Sequence, residues 1–401
     1  MGSNVEIPPH RSLRLMIVDP IGHVLGGHDH AICHQLSEWG HEIVLATNED
    51  YPFAHANDHH FIHIPAFRGV VGDGRRVRKG LNYLLSVFRV IRQTARMRPD
   101  AVVLYYHLEP RVDRWWVRYL ARRGIRTLVC AHDVVPLDSK ADAHSAYRSL
   151  YQSAWAVLAF SQFARGELVN TLGIPASKVN VLYFGANGRG NGAQVSGVAK
   201  IAGARERLGI LPQEKVILCF GQIKKNKGLG FLLRAFAEVL REIPQARLLI
   251  IGRPWKVDVE PFRRQAVELG ISQRVIFRPE LVPDCEVSQY FSAADVVVLP
   301  YTYLYQSAVL PLACTLGKPV VATRVGNIPE VLEDGETGYL APPADVKELR
   351  RALLEALMNP TEAARRAQRA QQVVHEKYCW TSFCQGLVEM IQNGRHSVES
   401  R

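Results

Sequence analysis

The residues best equipped for chemistry in this chain stand where apolar runs give way to turns. In Phe220-Gly221-Gln222-Ile223-Lys224-Lys225-Asn226-Lys227-Gly228, three lysines separate an apolar run from a helical pattern. Cations beside the unpaired N–H groups of a helix start suit a phosphate, although the stretch lacks the P-loop pattern. A solvated charged loop has the same composition, and these residues alone leave both readings open. Pro300-Tyr301-Thr302-Tyr303-Leu304-Tyr305-Gln306-Ser307-Ala308-Val309 carries a strand into a second helix. There Ser307 is either an N-cap or the mark of backbone amides aimed at a second phosphate. Cys130-Ala131-His132-Asp133 ends another apolar run, and side chains at the carboxyl end of such a strand face the ligand crevice of an open α/β sheet. His132 is the chemical candidate, against a purely structural histidine; Asp133 either orients its ring or solvates the loop. Gly22-His23-Val24-Leu25-Gly26-Gly27 follows the first strand. Its glycines either admit backbone amides to a phosphate or sugar, or make a tight turn. It is not G-x-G-x-x-G, and Asp50 lies beyond the tip of the second strand, so a dinucleotide site is disfavoured.

These candidates need elements that deliver them to one edge. Leu13–Asp19, His41–Thr47, Ala101–Tyr105, Thr127–Ala131 and Trp155–Phe160 read as strands. Between them run helical stripes: Ile32, Leu36 and Trp39; Leu81, Leu84, Leu85, Phe88 and Ile91; and a helix over about Val112–Arg123. Gly26–Gly27 reads as the turn before the first helix. The second half alternates likewise, with strands Val216–Phe220, Arg247–Ile251, Val275–Phe277, Val296–Pro300 and Pro319–Thr323. Its helices read as Gly228–Arg241, Ser307–Leu316 and a helical stretch from Asp345 to Gln392. Apolar strands alternating with helices predict parallel sheets covered on both faces. Gly185, Gly188, Gly190, Gly192 and Gly197 fall in a stretch poor in large apolar residues, as in a linker. The expected division is an N-terminal Rossmann-like domain over 1–184, a linker over 185–204, a C-terminal Rossmann-like domain over 205–378 and a helix and tail over 379–401.

With 401 residues, 47% of them hydrophobic, the chain can fill two or three cores. No apolar run approaches the roughly 20 residues that span a bilayer, and Met1–Arg14 is too polar for a secretory leader. The seven cysteines form no C-x-x-C pair and mostly fall in apolar runs, as buried thiols in the cytoplasm would. Charge is the uneven property. Residues 68–126 hold 15 Lys and Arg against 4 Asp and Glu, leaving 34 of each sign elsewhere, so this window carries the whole net charge of +11. Two readings of it stay open. Either its apolar stripes pack on the N-terminal sheet with the arginines merely solvated, or the domain lies on an anionic membrane surface. Nucleic acid is not an expected partner, because no RRM, KH, OB or helix-turn-helix signature accompanies the charge.

Taken together, these residues resemble the GT-B retaining glycosyltransferases of glycosyltransferase family 4, over nearly the whole chain. Gly26-Gly27 through Leu36, with Gly40-His41-Glu42-Ile43-Val44, is similar to the family's glycine loop, helix and "GHEV" strand. His132-Asp133 is similar to its "HD", and Phe220-Gly221 to Lys227-Gly228 to its basic loop. Gly317-Lys318-Pro319-Val320-Val321-Ala322-Thr323, Gly326-Asn327-Ile328-Pro329-Glu330 and Asp334-Gly335-Glu336-Thr337-Gly338 complete the series. There are departures. Leu304 and Leu312 stand where many members carry two glutamates around the donor sugar and ribose, and Gln222 stands where many have Arg. A subgroup with "FGxIRxYKG" and "PYxxxxQSG" is the better likeness, with Lys224 in the place of the Arg and Gln306-Ser307-Ala308 in that of "QSG".

The resemblance implies two doubly wound domains facing across a cleft, with C-terminal helices crossing back to the N-terminal domain. It implies transfer of a hexose, with retention, from a UDP- or GDP-linked sugar to an acceptor hydroxyl, without metal or other cofactor. Catalysis falls to His132 and Lys227, and donor phosphates to Gly26, Gly27, Lys224, Lys227, Gln306, Ser307 and Ala308. The base or ribose falls to Gln222, Arg253, Arg278, Leu281 and Val282. The expected acceptor is a sugar, lipid-linked sugar or polysaccharide in cell-surface assembly, and the expected place is the cytoplasm, at the inner face of the plasma membrane. The alternative is a catalytically inactive GT-B-like protein that binds nucleotide sugars or regulates.

Overall fold

The computed structural model describes residues 11–54, 60–71, 76–136, 139, 142–185 and 203–394. The chain divides into two compact units, Met1–Gly185 with Trp380–Arg401, and Ala186–Cys379. Most of the expected linker, residues 186–202, lies outside the described residues.

In the first unit the strands are β1 (Arg14–Asp19), β2 (Glu42–Asn48), β3 (Ile62–Phe67), β4 (Ala101–Leu104), β5 (Arg126–Ala131), β6 (Ala156–Ala159) and β7 (Val179–Val181). They form one parallel sheet in the order β3-β2-β1-β4-β5-β6-β7, with Met16 of β1 between Val44 and Val102. Helices α1 (Gly22–Glu38), α2 (Arg76–Met97), α3 (Pro110–Ala121), α4 (Ala143–Ser153) and α5 (Gln162–Gly166) connect them. The inner strands are buried along nearly their whole length, which is why they read as unbroken apolar runs.

In the second unit, α6 (Ala204–Arg207) precedes β8 (Lys215–Phe220), α7 (Leu229–Glu242), β9 (Ala246–Ile251), α8 (Glu260–Glu268), β10 (Val275–Arg278) and α9 (Asp284–Ala293). There follow β11 (Val296–Leu299), α10 (Val309–Thr315), β12 (Val320–Thr323), α11 (Ile328–Val331), β13 (Tyr339–Ala341), α12 (Val346–Met358) and α13 (Pro360–Lys377). This sheet is also parallel, in the order β10-β9-β8-β11-β12-β13. Leu232, Leu233, Phe236 and Val239 of α7 and Leu349, Leu353 and Leu357 of α12 fill the core on one face.

The last helix, α14 (Trp380–Asn393), belongs to the first unit. Its Phe383, Leu387, Val388 and Ile391 join Ile32 and Leu36 of α1 in one hydrophobic cluster.

Two expectations are corrected, and one open reading is narrowed. Gly26 and Gly27 lie inside α1, which begins at Gly22; they are not a turn before it. The helix after β11 starts at Val309 rather than at Ser307. The stripe on α2 faces outward: Leu81, Leu84, Leu85 and Phe88 are 39–58% exposed, while Tyr83, Val87, Val90 and Thr94 are buried. Both faces carry apolar residues at helical spacing, and packing selects the one that also offers a tyrosine hydroxyl to a buried carboxylate. Tyr83 donates to Asp113 Oδ1 of α3 at 2.5 Å, and Trp116 Nε1 donates to the same oxygen at 3.1 Å.

Candidate active site

In the second unit the strand order changes direction between β8 and β11, and ligands of open α/β sheets bind at the carboxyl ends beside such a reversal. There the loop after β8 is stitched to the loop after β11. Asn226 Nδ2 donates to the Tyr303 carbonyl at 2.6 Å, and the Thr302 amide donates to the Asn226 carbonyl at 2.9 Å. Gly228 sits at φ +66°, where a Cβ would fall 1.8 Å from the Pro300 carbonyl oxygen. Only glycine lets α7 begin this close to β11.

Lys227 is thereby placed over the face of Tyr301, its Nζ 3.9 Å from the ring centroid. Tyr301 is buried, and its hydroxyl lies 3.5 Å from Ser307 Oγ. Ser307 Oγ accepts the Leu310 amide in the first turn of α10 at 3.2 Å. The Tyr301 carbonyl in turn accepts Thr323 Oγ1 of β12 at 2.5 Å. A third loop joins them at Gly326, φ +54°, where a Cβ would stand 2.2 Å from the Leu304 carbonyl oxygen. Beside it Asn327 is 3% exposed, with Oδ1 lacking a hydrogen-bond partner among the described residues.

Of the residues expected on this side, Lys227, Ser307 and the turn to Ala308 come together around Tyr301. Lys224 is half-buried, its carbonyl accepting the Lys227 amide at 3.1 Å. Gln222 and Arg253 are exposed on adjacent loops, joined by the Ile223 amide donating to the Arg253 carbonyl at 3.0 Å. Arg278 ends β10 and gives its guanidinium to the Tyr290 hydroxyl at 3.0 Å. Beyond it Leu281 is 73% exposed and Val282 is half-buried. Thus the base or ribose candidates lie at or just past the ends of β8, β9 and β10, while Lys227 and Ser307 meet at Tyr301 beside the reversal.

In the first unit the reversal lies between β1 and β4. His132, just past β5, is ringed by Tyr105 at 4.9 Å, Phe160 at 4.7 Å and Phe184 at 5.7 Å between centroids. Desolvation there holds its imidazole down at about 3, with the charges of His107 and His28 adding to the effect. His28 and His107 are each held at about 4, also by desolvation first. His132 is therefore a neutral imidazole at physiological pH.

Two buried carboxylates of the same unit were not legible as site residues. Asp19 ends β1 and Asp29 lies in α1; both are fully buried, the Ile21 amide donates to Asp19 Oδ1 at 2.8 Å, and neither oxygen of Asp29 has a hydrogen-bond partner among the described residues. Burial raises Asp19 to about 6 and Asp29 well above the usual range, the latter pushed further by Asp19. The position of Asp19, at the carboxyl end of an apolar strand, is the same signal that marks His132. Tyr301 was equally missed, because its role depends on partners far away in sequence.

Residues 28–187 match the family described as Glycosyltransferase Family 4, and residues 214–359 match Glycosyl transferases group 1. An uncharacterised glycosyltransferase of Methanocaldococcus jannaschii is 28% identical over 63% of this chain and 63% of its own length. A GDP-mannose-dependent alpha-(1-6)-phosphatidylinositol monomannoside mannosyltransferase of Mycolicibacterium smegmatis is 27% identical over 70% of this chain and 74% of its own. The chain thus spans less than two thirds of the first of these relatives. Among solved structures, Anabaena HepE in complex with UDP and glucose superposes with a TM-score of 0.75 at 21% identity, covering 95% of this chain and 100% of that one. That likeness gives the GT-B fold. With both halves matched in order and the motifs in their places, the chain belongs to the group 1 glycosyltransferases of family 4.

Proposed function

We propose that the protein transfers a hexose from a nucleoside diphosphate sugar to an acceptor hydroxyl with retention of anomeric configuration. The observation that carries this reading is the Lys227–Tyr301–Ser307 arrangement at the strand reversal of the second unit. Cleaving a sugar–diphosphate bond concentrates negative charge on the departing phosphates, and fixed cations and amides lower that barrier most when already in place. Lys224, Lys227 and the backbone at Ser307 and Ala308 supply that charge here, and Gln306 borders it. His132, neutral, contacts the donor sugar rather than a phosphate, with Gly26 and Gly27 on the same side. Neither Phe220–Gly228 nor Pro300–Val309 contains a carboxylate to act as nucleophile, which favours attack on the face the diphosphate leaves. Gln222, Arg253, Arg278, Leu281 and Val282 take the base and ribose.

The donor is a UDP- or GDP-linked hexose. The Mycolicibacterium relative uses GDP-mannose on a lipid, and HepE was crystallised with UDP and glucose. The acceptor is a lipid-linked sugar or polysaccharide of cell-surface assembly, met at the cytoplasmic face of an anionic membrane. Among the described residues no helix is long and apolar enough to cross a membrane, while the outward stripe of α2 amid the basic window suits one lying on it. Incubation with UDP- and GDP-linked glucose, galactose and mannose tests the reading. The expected result is nucleotide release with one donor and a product whose anomeric configuration, read by proton NMR, matches the donor; an inverted product sinks retention. One observation favours the binding-only alternative. Leu304 and Leu312 offer no hydrogen bond to ribose or sugar, and tight donor binding without turnover in any pairing would establish it.

A further inference from the structure

We propose that the groove between α3 and α4 binds the phosphomonoester or diphosphate headgroup of a membrane lipid, while the outward face of α2 lies in the same membrane. This rests on the membrane-lying reading and gives it a specific ligand. On α2, Val77, Leu81, Leu84, Leu85 and Phe88 follow one another at helical spacing and are 39–77% exposed. A contiguous apolar strip of this kind marks an interaction surface rather than a solvated one. It does not end at α2. The Phe88 ring meets Trp115 of α3 at 5.8 Å, and Trp115 stacks on Tyr119 at 6.2 Å. Trp115 and Tyr119 form part of the wall of a groove of about 590 Å³ between α3 and α4.

The other side of that wall is cationic. Arg111, Arg114, Arg118 and Arg122 recur at three- and four-residue steps and all line the groove. Like charges so spaced repel one another along a helix. Arg111 is answered by Asp142 at 2.8 Å. Arg114, Arg118 and Arg122 make no ion pair or side-chain hydrogen bond among the described residues, so three guanidiniums face the groove unanswered. Arginine forks match phosphate oxygens in pairs, and three of them outnumber the single charge of a phosphodiester. A phosphomonoester or diphosphate answers the charge, and its acyl or prenyl chain answers the apolar strip. Nucleic acid would use the arginines and leave the leucines exposed. The platform is held in register by Tyr83 and Trp116, which both donate to buried Asp113.

The full chain is cosedimented with phosphatidylcholine vesicles carrying either phosphatidylglycerol or phosphatidic acid at matched surface charge. It is also titrated calorimetrically with short-chain phosphatidic acid and with inorganic phosphate. The wild type should bind the phosphatidic acid vesicles about fivefold or more tightly, the equivalent of roughly one charged contact at the surface. Arg114→Ser/Arg118→Ser should lose that preference and the short-chain binding, yet still sediment with phosphatidylglycerol. Leu85→Ser/Phe88→Ser should weaken sedimentation with every vesicle and leave the short-chain titration unchanged. Equal binding of the two lipids, or a preference that survives without Arg114 and Arg118, overturns the headgroup site while the membrane-lying reading stands. Failure of the wild type to sediment with any anionic vesicle at low salt overturns both. Inorganic phosphate binding the groove as tightly as the short-chain lipid assigns it to a soluble ligand and overturns the lipid.

Discussion

Lys227 Nζ lies 3.9 Å from the centroid of the Tyr301 ring, and the hydroxyl of that ring lies 3.5 Å from Ser307 Oγ. One buried aromatic therefore meets both the cation on the β8 loop and the serine that holds an amide in the first turn of the helix after β11. A lysine that would otherwise sweep a wide volume is held by an attraction of about 0.5–2 kcal/mol. Lys227→Ala should keep the fold and lose a charge-assisted contact of ~1.5–3 kcal/mol to the departing diphosphate, a roughly tenfold to hundredfold drop in turnover. Tyr301→Phe, which retains the ring, should stay close to wild type, whereas Tyr301→Leu should approach the lysine variant. Steady-state kinetics on the three separates ring from hydroxyl; equal loss in the Phe and Leu variants would assign the effect to the hydroxyl instead.

Since Lys224 and Lys227 carry the charge stabilisation in this reading, transfer should persist in excess EDTA. A strict requirement for added Mn²⁺ would mean that the lysines do not suffice for the diphosphate.

Gly228→Ala tests the join between the two loops. The backbone there is left-handed at φ +66°, and the new methyl would meet the Pro300 carbonyl oxygen at 1.8 Å. The conformation alone costs a β-carbon about 1–2 kcal/mol, and relieving the clash must part the β8 and β11 loops. Urea melts should show a loss of about 3 kcal/mol or more, with donor affinity falling as well. A variant of wild-type stability would show that this junction is free to shift.

The alternation of strands and helices was legible because buried parallel strands are apolar along their whole length. The carboxyl-end rule pointed to His132, the first residue after β5, and to the loops after β8 and β11 that carry Lys227 and Ser307. Legibility failed where two patterns compete. On α2, Leu81-Leu84-Leu85-Phe88 and Tyr83-Val87-Val90-Thr94 are both helical stripes, and the tie is broken by Asp113 on a different helix. β3 was overlooked because it is an edge strand carrying Pro65 and lacks the apolar run of a central one. Gly26 and Gly27 suggested a turn because glycine usually marks one, yet α1 runs through them. Tyr301 is a single aromatic whose meaning comes from Lys227, 74 residues earlier in the chain.

His132→Ala should depress turnover while leaving the affinity for free nucleotide nearly unchanged, since the lysines proposed for the phosphates, Lys224 and Lys227, lie on a loop of the other unit. An equal loss of nucleotide affinity would move His132 to the phosphate or base. Because desolvation holds its imidazole at about 3, its proton NMR resonance should not titrate between pH 5 and 8, and the rate profile should show no step near 6.5.

Stability against pH follows from the same buried groups. His28 and His107, held at about 4, and His132, at about 3, contribute stability that is complete above their unfolded value of about 6.5. That contribution is lost as pH falls toward their folded values. Buried carboxyls work the other way. Asp113 is raised to about 7 and Asp19 to about 6, so each contribution is complete below the unfolded value of 3.8 and lost as pH rises through the folded one. Between about pH 4 and 6 the three histidines and the carboxyls Asp19, Asp29 and Asp113 oppose one another, each with a slope of about 1.4 kcal/mol per pH unit. The wild type should therefore change little in stability across that window. Asp113→Asn removes one carboxyl and unbalances it. Compared with wild type, the variant should lose about 1.4 kcal/mol more for each unit that pH falls from 6 to 4, and should stand best relative to wild type above pH 7. Urea denaturation at half-unit steps from pH 4 to 7.5 measures the difference. A constant offset between the two proteins would mean that Asp113 is ionised throughout and that its hydrogen bonds from Tyr83, Trp116 and the Glu109 amide outweigh its burial.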